Sequence, residues 1–257
     1  MVGQYVGRYH IVEQLGQGGM AVVYKAYDTR LERDVAIKFI RTGEIGPNYL
    51  EQMLKRFERE AKSLARMDHL NIVGVFDYGE YENSPYLVMQ YLLGGTLKHA
   101  VDKPMHYADA ARLLLPIARA LEYAHGWNVV HRDVKPANIL ITESGEPMLS
   151  DFGIAKILGA TGTTQLTGTG MGVGTPQYMA PEQWEGKVVT QTDIYALGVV
   201  LYELVTGRRP YEADTPAAVF RMMMTEPLPR PKDAAPDLPE EVEKMLIKAL
   251  AKKPDER

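Results

Sequence analysis

Two short runs concentrate the groups that could do chemistry: "HRDVKPANILI", His131–Ile141, and "DFG", Asp151–Gly153. Asp133, Lys135, Asn138 and Asp151 fall close together there, with aliphatic anchors between them. Moving a phosphoryl group needs oxygen ligands for Mg2+, a carboxylate to orient a hydroxyl, and cations against the phosphate oxygens. These residues supply all three. The bland alternative is a solvated polar loop followed by an ordinary turn. A third motif upstream weighs against it, because "VAIK" puts Lys38 at the end of a strand whose alternate residues Val35 and Ile37 can face a core. A buried ammonium tends to lose its charge unless it is paired. Glu60, on the polar edge of the next helix, is a credible partner. By itself Lys38 reads equally well as a solvated strand-end lysine. The three motifs in this order leave the loop-and-turn alternative little room.

A glycine stretch precedes them, "LGQGGMAVVYKA", Leu15–Ala26. Gly16 and Gly18 begin a G-x-G-x-x-G pattern whose third slot is Ala21. The pattern alone suits a dinucleotide turn or a plain hairpin. A dinucleotide turn leads straight into a helix whose N-terminus meets the pyrophosphate, whereas these glycines lead into the β-rich Val22–Ala26.

The elements that must position these groups follow from periodicity. Runs at Tyr9–Leu15, Ala21–Asp28 and Arg33–Ile40 are β-rich and separated by glycine or charged turns, which predicts antiparallel strands. Leu50–Met67 has helical spacing, with Leu54, Phe57, Ala61 and Leu64 on one face. Strands are expected around Ile72–Tyr78 and Tyr86–Tyr91. Beyond Gln90–Gly95 helices dominate, over Ala108–Trp127, Asp193–Thr206, Ala217–Thr225 and Pro239–Ala251. The spacing therefore predicts an α+β chain, with a small β-rich lobe over 1–91 and a larger helical lobe over 92–257. Pro116 should kink its helix, and Leu158–Thr175 reads as a loop.

Composition narrows the function classes. The chain has 257 residues and a formal charge of −4 with both signs interspersed. No basic field is present to capture nucleic acid or an anionic membrane by bulk attraction. Without cysteine there is no disulfide, thiol nucleophile or thiolate metal site. The first residues lack the apolar core of a signal peptide, and the longest nearly apolar run, "IYALGVVLYELV", is too short to span a bilayer.

With "VAIK", "HRDVKPANILI", "DFG" and "GTPQYMAPEQ" in order, the chain from about Tyr9 to Arg257 resembles a eukaryotic-type protein kinase catalytic domain, most closely the bacterial serine/threonine kinases. The resemblance implies the two-lobed protein kinase fold, with ATP and Mg2+ as cofactors and proteins as substrates. It implies that Lys38, fixed by Glu60, holds the α- and β-phosphates. Asp133 would orient the substrate hydroxyl, Lys135 would contact the γ-phosphate, and Asn138 and Asp151 would hold Mg2+. Leu15, Gly16, Gln17, Gly18, Gly19, Met20, Ala21, Val22 and Val23 would form a lid over the nucleotide. Adenine would lie against Leu15, Val23, Ala36 and Leu140, with Met89 at the back and Gln90, Tyr91 and Leu92 as the hinge. Simple core packing is the other reading of Met89. Thr175 would hydrogen-bond near Asp133 and Lys135. Asp193 would cap the catalytic loop from below, which is compatible with a plain helix N-cap. Glu182 would pair with Arg257, expected to be frayed as the final residue, the last helix of a usual domain being absent.

The resemblance also places Thr167 and Thr169 where related kinases are autophosphorylated. Arg132 and Lys156 near Asp133 repel each other unless an anion arrives, and a phosphothreonine would bring one. A merely flexible polar loop is the alternative. Self-association for autophosphorylation in trans is expected, with no nucleic acid and no membrane contact by this segment. A cytoplasmic location fits the segment, with any membrane anchor downstream of Arg257. A nucleotide-binding pseudokinase or scaffold is disfavoured because Lys38, Glu60, Asp133, Asn138 and Asp151 are all present.

Overall fold

A computed structural model describes residues 1–19, 21–42, 47–101, 103–153 and 175–257. Met20, Lys156, Thr167, Thr169 and the loop expected over 158–175, apart from Thr175, lie outside the described residues. The chain separates into two compact units. One contains Met1–Asp68 and Ile72–Leu92, the other His69–Asn71, Leu93–Phe152 and the described residues of Val173–Arg257.

The first unit is built on six antiparallel strands: β1 (Tyr5–Val6), β2 (Tyr9–Gln17), β3 (Ala21–Asp28), β4 (Arg33–Ile40), β5 (Val75–Tyr81) and β6 (Ser84–Gln90). Their order is β1-β2-β3-β4-β6-β5. Period-two alternation sends Val35, Ile37 and Phe39 of β4 into a core with Ile11, Ala26 and Val88. The opposite face follows from register: Lys38 lies across from Val23 and Leu87, and Ala36 across from Met89. Glu82 and Asn83, both at positive φ (49° and 63°), close the β5–β6 hairpin with the twist that two-residue loops favour.

Helix α1 (Pro47–Leu64) joins β4 to β5. Its buried stripe is Met53, Phe57, Ala61 and Leu64. Met53, not Leu54, begins the stripe, because steps of four, four and three residues keep to one face of a 3.6-residue helix. Strand β5 begins at Val75, three residues later than its apolar run. Before it, Asn71 belongs to the other unit, where its carbonyl accepts from Leu149 N–H at 2.8 Å and its Nδ2 donates to Pro147 O at 2.8 Å.

The second unit contains α2 (Tyr107–Gly126), the hairpin β7 (Ile139–Ile141) and β8 (Pro147–Leu149), α3 (Pro181–Trp184), α4 (Thr190–Thr206), α5 (Pro216–Thr225), α6 (Pro231–Ala234) and α7 (Glu240–Ala249). Helix α4 is apolar nearly all round, burying Tyr195, Val199, Tyr202 and Leu204. Such a helix belongs at the centre of its unit, and it packs against α2 and α7. Gly198 allows that approach: a Cβ there would stand 3.0 Å from the Ala249 side chain. Helix α4 begins at Thr190, earlier than its apolar pattern, with Val189 at the cap position. Asp193 therefore sits inside the helix, and the plain N-cap reading does not hold.

Candidate active site

The β7–β8 hairpin brings the candidate groups of the second unit together. Pairing Ile139 with Leu149 puts Asn138 and Ser150 side by side just beyond the ladder. Ser150 N–H donates to Asn138 O at 2.8 Å and its hydroxyl donates to the same oxygen at 3.1 Å. Asp151 leaves this anchored residue at φ 64°, in the left-handed region that a non-glycine residue adopts only when its surroundings hold it there.

Three side chains converge one turn away. Lys135 Nζ donates to Asp133 Oδ2 at 2.9 Å. Asn138 Nδ2 donates to both Asp133 O, at 2.8 Å, and Asp133 Oδ2, at 3.2 Å. Both amide protons of the buried Asn138 are thereby committed to acceptors, which leaves its Oδ1 as the group able to face a cation.

His131 is wholly buried behind them. Its Nδ1 accepts from Asp133 N–H at 3.2 Å, so the proton is on Nε2, which donates to Ser150 O at 2.8 Å. Burial pushes its pKa below the ordinary imidazole value, in keeping with that neutral tautomer. Phe152 covers the ring at 4.6 Å.

Underneath, the carboxylate of the buried Asp193 accepts from His131 N–H and Arg132 N–H, each at 2.8 Å, and from His125 Nε2 at 2.8 Å. Arg132 is left-handed, φ 69°, so the consecutive amides turn to one side and form a concavity for an anion. Gln183 Nε2 donates to Arg132 O at 3.0 Å from α3.

The ion pair expected between Glu182 and Arg257 is present and bidentate, at 2.7 and 2.9 Å. Arg257 is not frayed. Its side chain is fully buried, and its remaining donors reach Ala251 O, Gln191 O and Lys252 O at 2.8–3.1 Å. Burial raises the Glu182 pKa, but the bonds from Arg257 and Thr192 outweigh it, and the net shift is downward. Tyr178 donates to the buried Glu203, whose pKa burial raises.

In the first unit Val23, Ala36, Lys38 and Met89 share one sheet face, as their register requires. Ala36 and Met89 are buried. Glu60 has Arg59 as an ion-pair partner, at 3.1 Å. At the β2–β3 tip Gly18 N–H donates to Ala21 O at 2.8 Å. Gly16, Gly18 and Gly19 are not at positive φ, and a Cβ on Gly16 or Gly19 would meet nothing within 4 Å. The fold itself does not call for glycine there. What bare backbone offers is close approach by something outside the chain. Leu15 is exposed. Lys25 Nζ lies 5.0 Å above the Tyr91 ring, and Gln90 N–H donates to Gly74 O at 2.9 Å. In the second unit Leu140 pairs with Met148.

His125, Ser150 and Gln183 were not evident from the sequence as parts of the site. Each acts across a large sequence separation, and no spacing rule points from "YAH" at 123–125 to Asp193. Among the described residues no cluster of three or more His, Cys, Asp or Glu side chains could hold a metal alone. That suits Mg2+, which takes one or two carboxylates and completes its octahedron with water and phosphate oxygens. Asp151 and the free Oδ1 of Asn138 are the fitting donors.

The protein kinase domain family model matches residues 9–257. The chain is 40% identical over 261 residues to the serine/threonine-protein kinase PrkC of Bacillus subtilis, covering 100% of this chain and 39% of that protein. It is 41% identical over 259 residues to the serine/threonine-protein kinase PknB of Mycolicibacterium smegmatis, covering 97% of this chain and 40% of that one. The fold matches the solved PknI kinase domain of Mycobacterium tuberculosis with a TM-score of 0.76 at 27% identity, over 100% of this chain and 92% of that one. The chain thus spans about two-fifths of the length of these curated relatives.

Proposed function

The chain belongs to the protein kinase domain family, and from that premise we propose that it transfers the γ-phosphate of ATP to serine and threonine hydroxyls of proteins. The observation that carries this reading is the Asp133–Lys135–Asn138 cluster, anchored through Ser150 beside Asp151. Phosphoryl transfer passes through a loose transition state, so the protein contributes positioning and charge more than covalent chemistry. Asp133 orients the acceptor hydroxyl and takes its proton. Lys135 neutralises charge on the transferring group and, until substrate binds, holds Asp133. Lys38 binds the α- and β-phosphates, and the lid Leu15–Val23 covers them. Mg2+ held by Asn138 and Asp151 supplies charge neutralisation on the phosphates.

Lys38 is fixed by Glu60, whose second carboxylate oxygen can accept from it while Arg59 keeps the first. Thr175 completes the site beside Asp133 in the substrate-bound state. Adenine lies against Leu15, Val23, Ala36, Met89 and Leu140, with backbone contacts at Gln90–Leu92. Thr167, Thr169 or both are the sites of regulatory autophosphorylation, delivered in trans between two copies. No helix among the described residues is long and apolar enough to cross a membrane. We place this segment in the cytoplasm, where ATP is abundant, with any anchor elsewhere in the full-length protein.

The test is transfer to serine, threonine and tyrosine versions of one acceptor peptide, with Mg2+ and with EDTA. Metal-dependent labelling of the serine and threonine peptides is expected. Labelling of the tyrosine peptide alone, or equal labelling in EDTA, would overturn the reading.

A further inference from the structure

We propose that Lys25 is a positioning residue for the nucleotide: its ammonium, pinned by Asp34, clasps the Tyr91 ring and holds the hinge backbone in place for adenine. The inference rests on the kinase reading and adds a residue outside the glycine lid and the slot already assigned.

Register sets the geometry. Lys25 lies directly across from Glu13 on β2 and from Ala36 on β4, and Ala36 lies across from Met89 on β6. Directly opposed residues of a ladder send their side chains to one face. Lys25 therefore shares the slot face with Ala36, Met89 and, two residues back along its own strand, Val23. Asp34 precedes Ala36 by two positions and Tyr91 follows Met89 by two. Both border the row Lys25–Ala36–Met89 on the side away from Lys38, and Lys25 reaches diagonally to each.

The ladder stops one residue short of the hinge's centre. Val35 with Gln90 is the last pair between β4 and β6, and the Gln90 amide is committed to Gly74 O at 2.9 Å. Tyr91 is the next residue, and its ring takes over the attachment: Lys25 Nζ stands 5.0 Å from the ring centroid. The same ammonium lies 2.9 Å from Asp34 Oδ2. Its hydrogen bond to Asp34 keeps the lysine pKa above the ordinary value, so the clasp stays charged near neutral pH. The Lys25 side chain is 20% exposed, and a cation over an aromatic face gains as it is withdrawn from water. Strand β3 is hydrogen-bonded to a neighbour on each side, which fixes the point from which Lys25 reaches. A hinge held before nucleotide arrives spares binding the cost of ordering it.

The experiment measures equilibrium binding of two probes, Mg2+–ATP and adenosine, by calorimetric titration. The proteins are the parent, Lys25→Met, Lys25→Arg, Tyr91→Leu and the double variant Lys25→Met/Tyr91→Leu, each first shown by thermal melting to be folded at the assay temperature. Methionine keeps an unbranched stem and removes the charge. Lys25→Met should weaken both probes roughly fivefold. Arginine restores a cation that stacks on the ring and pairs with Asp34, so Lys25→Arg should bind both within about twofold of the parent. The double variant should bind no more than about twofold more weakly than Tyr91→Leu, because the contact is already gone. Unchanged binding by Lys25→Met, additive losses in the double variant, or no recovery with arginine would overturn the proposal. So would a loss confined to ATP: adenosine carries no phosphate, and the defect would then be attraction between Lys25 and an anion. If Lys25→Met does not fold, Lys25→Gln is read by the same limits. A parent that binds neither probe would overturn the nucleotide reading itself, and the role of the clasp with it.

Discussion

The catalytic loop and the glycine tip are both assigned to the phosphates, and they are built in opposite ways. In the loop, His131, Arg132 and Asn138 each bond to a partner brought from another element: Asp193 on α4, Gln183 on α3, Ser150 at the end of β8. At the tip, Gly16 and Gly19 leave space where a side chain would meet nothing. The first region is fixed by the protein before any substrate arrives. The second is left bare for what binds. On the proposed reading, pre-organisation is concentrated where charge would develop in the transition state, and freedom is kept where a nucleotide would enter and leave.

The contrast can be broken most severely at its chemical end. Asp151→Ala should lower kcat by roughly 10³-fold, the scale of removing a transition-state charge stabiliser, while Tm moves by no more than a degree or two. A turnover near that of the parent would detach Asp151 from metal binding.

The scaffold end should respond the other way. Arg257→Ala leaves Glu182 buried and unpaired, which should destabilise the protein by about 3–5 kcal/mol in denaturant melts. A loss under about 1 kcal/mol would mean that the pair is solvated after all.

At the bare tip, Gly18→Val should raise KM for ATP about tenfold with Tm unchanged, since the side chain obstructs only a ligand. Loss of stability there would show that the glycine serves the fold. Ala21 is already at a negative φ and buried, so Ala21→Gly should change ATP affinity less than tenfold, about 1.4 kcal/mol.

The smallest effect is in pH. The folded His131 pKa is depressed by burial, so both states are neutral above about 6.5. Below that value the unfolded state takes up a proton that the folded state does not, and stability falls. Glu182 acts further down, because its folded pKa is also lowered. Its contribution is complete above the ordinary carboxylate range and is lost as pH falls through the folded value. Tm should therefore be level from pH 8 to 7 and decline in two stages on acidification. A Tm that rises from pH 7 to 5 would contradict the His131 assignment.

Much of the candidate loop was readable because its chemistry is contiguous: Asp133, Lys135 and Asn138 lie within six residues, and Asp151 follows a single short hairpin. Strands β3 and β4 were readable for a similar reason, since alternation is a local signal. What escaped depends on tertiary partners. The two-residue β1 and the three-residue β7 and β8 carry too little periodicity to register. The start of β5 is displaced because Asn71 is claimed by β8. His125 reaches Asp193 across 68 positions of sequence, and that distance is set by the packing of α2 on α4. Arg257 looked frayed from its place at the end of the sequence, whereas burial and five hydrogen bonds hold it.

The central claim is that Asp133, held ready by Lys135 and Asn138, serves metal-dependent transfer from ATP to a hydroxyl. Its most direct test is incorporation of label from γ-labelled ATP into the protein itself, comparing the parent with Asp133→Asn. The account predicts phosphate on serine or threonine of the parent, with Mg2+ required, and none above background on a folded Asp133→Asn variant. Equal labelling of the two proteins would contradict it.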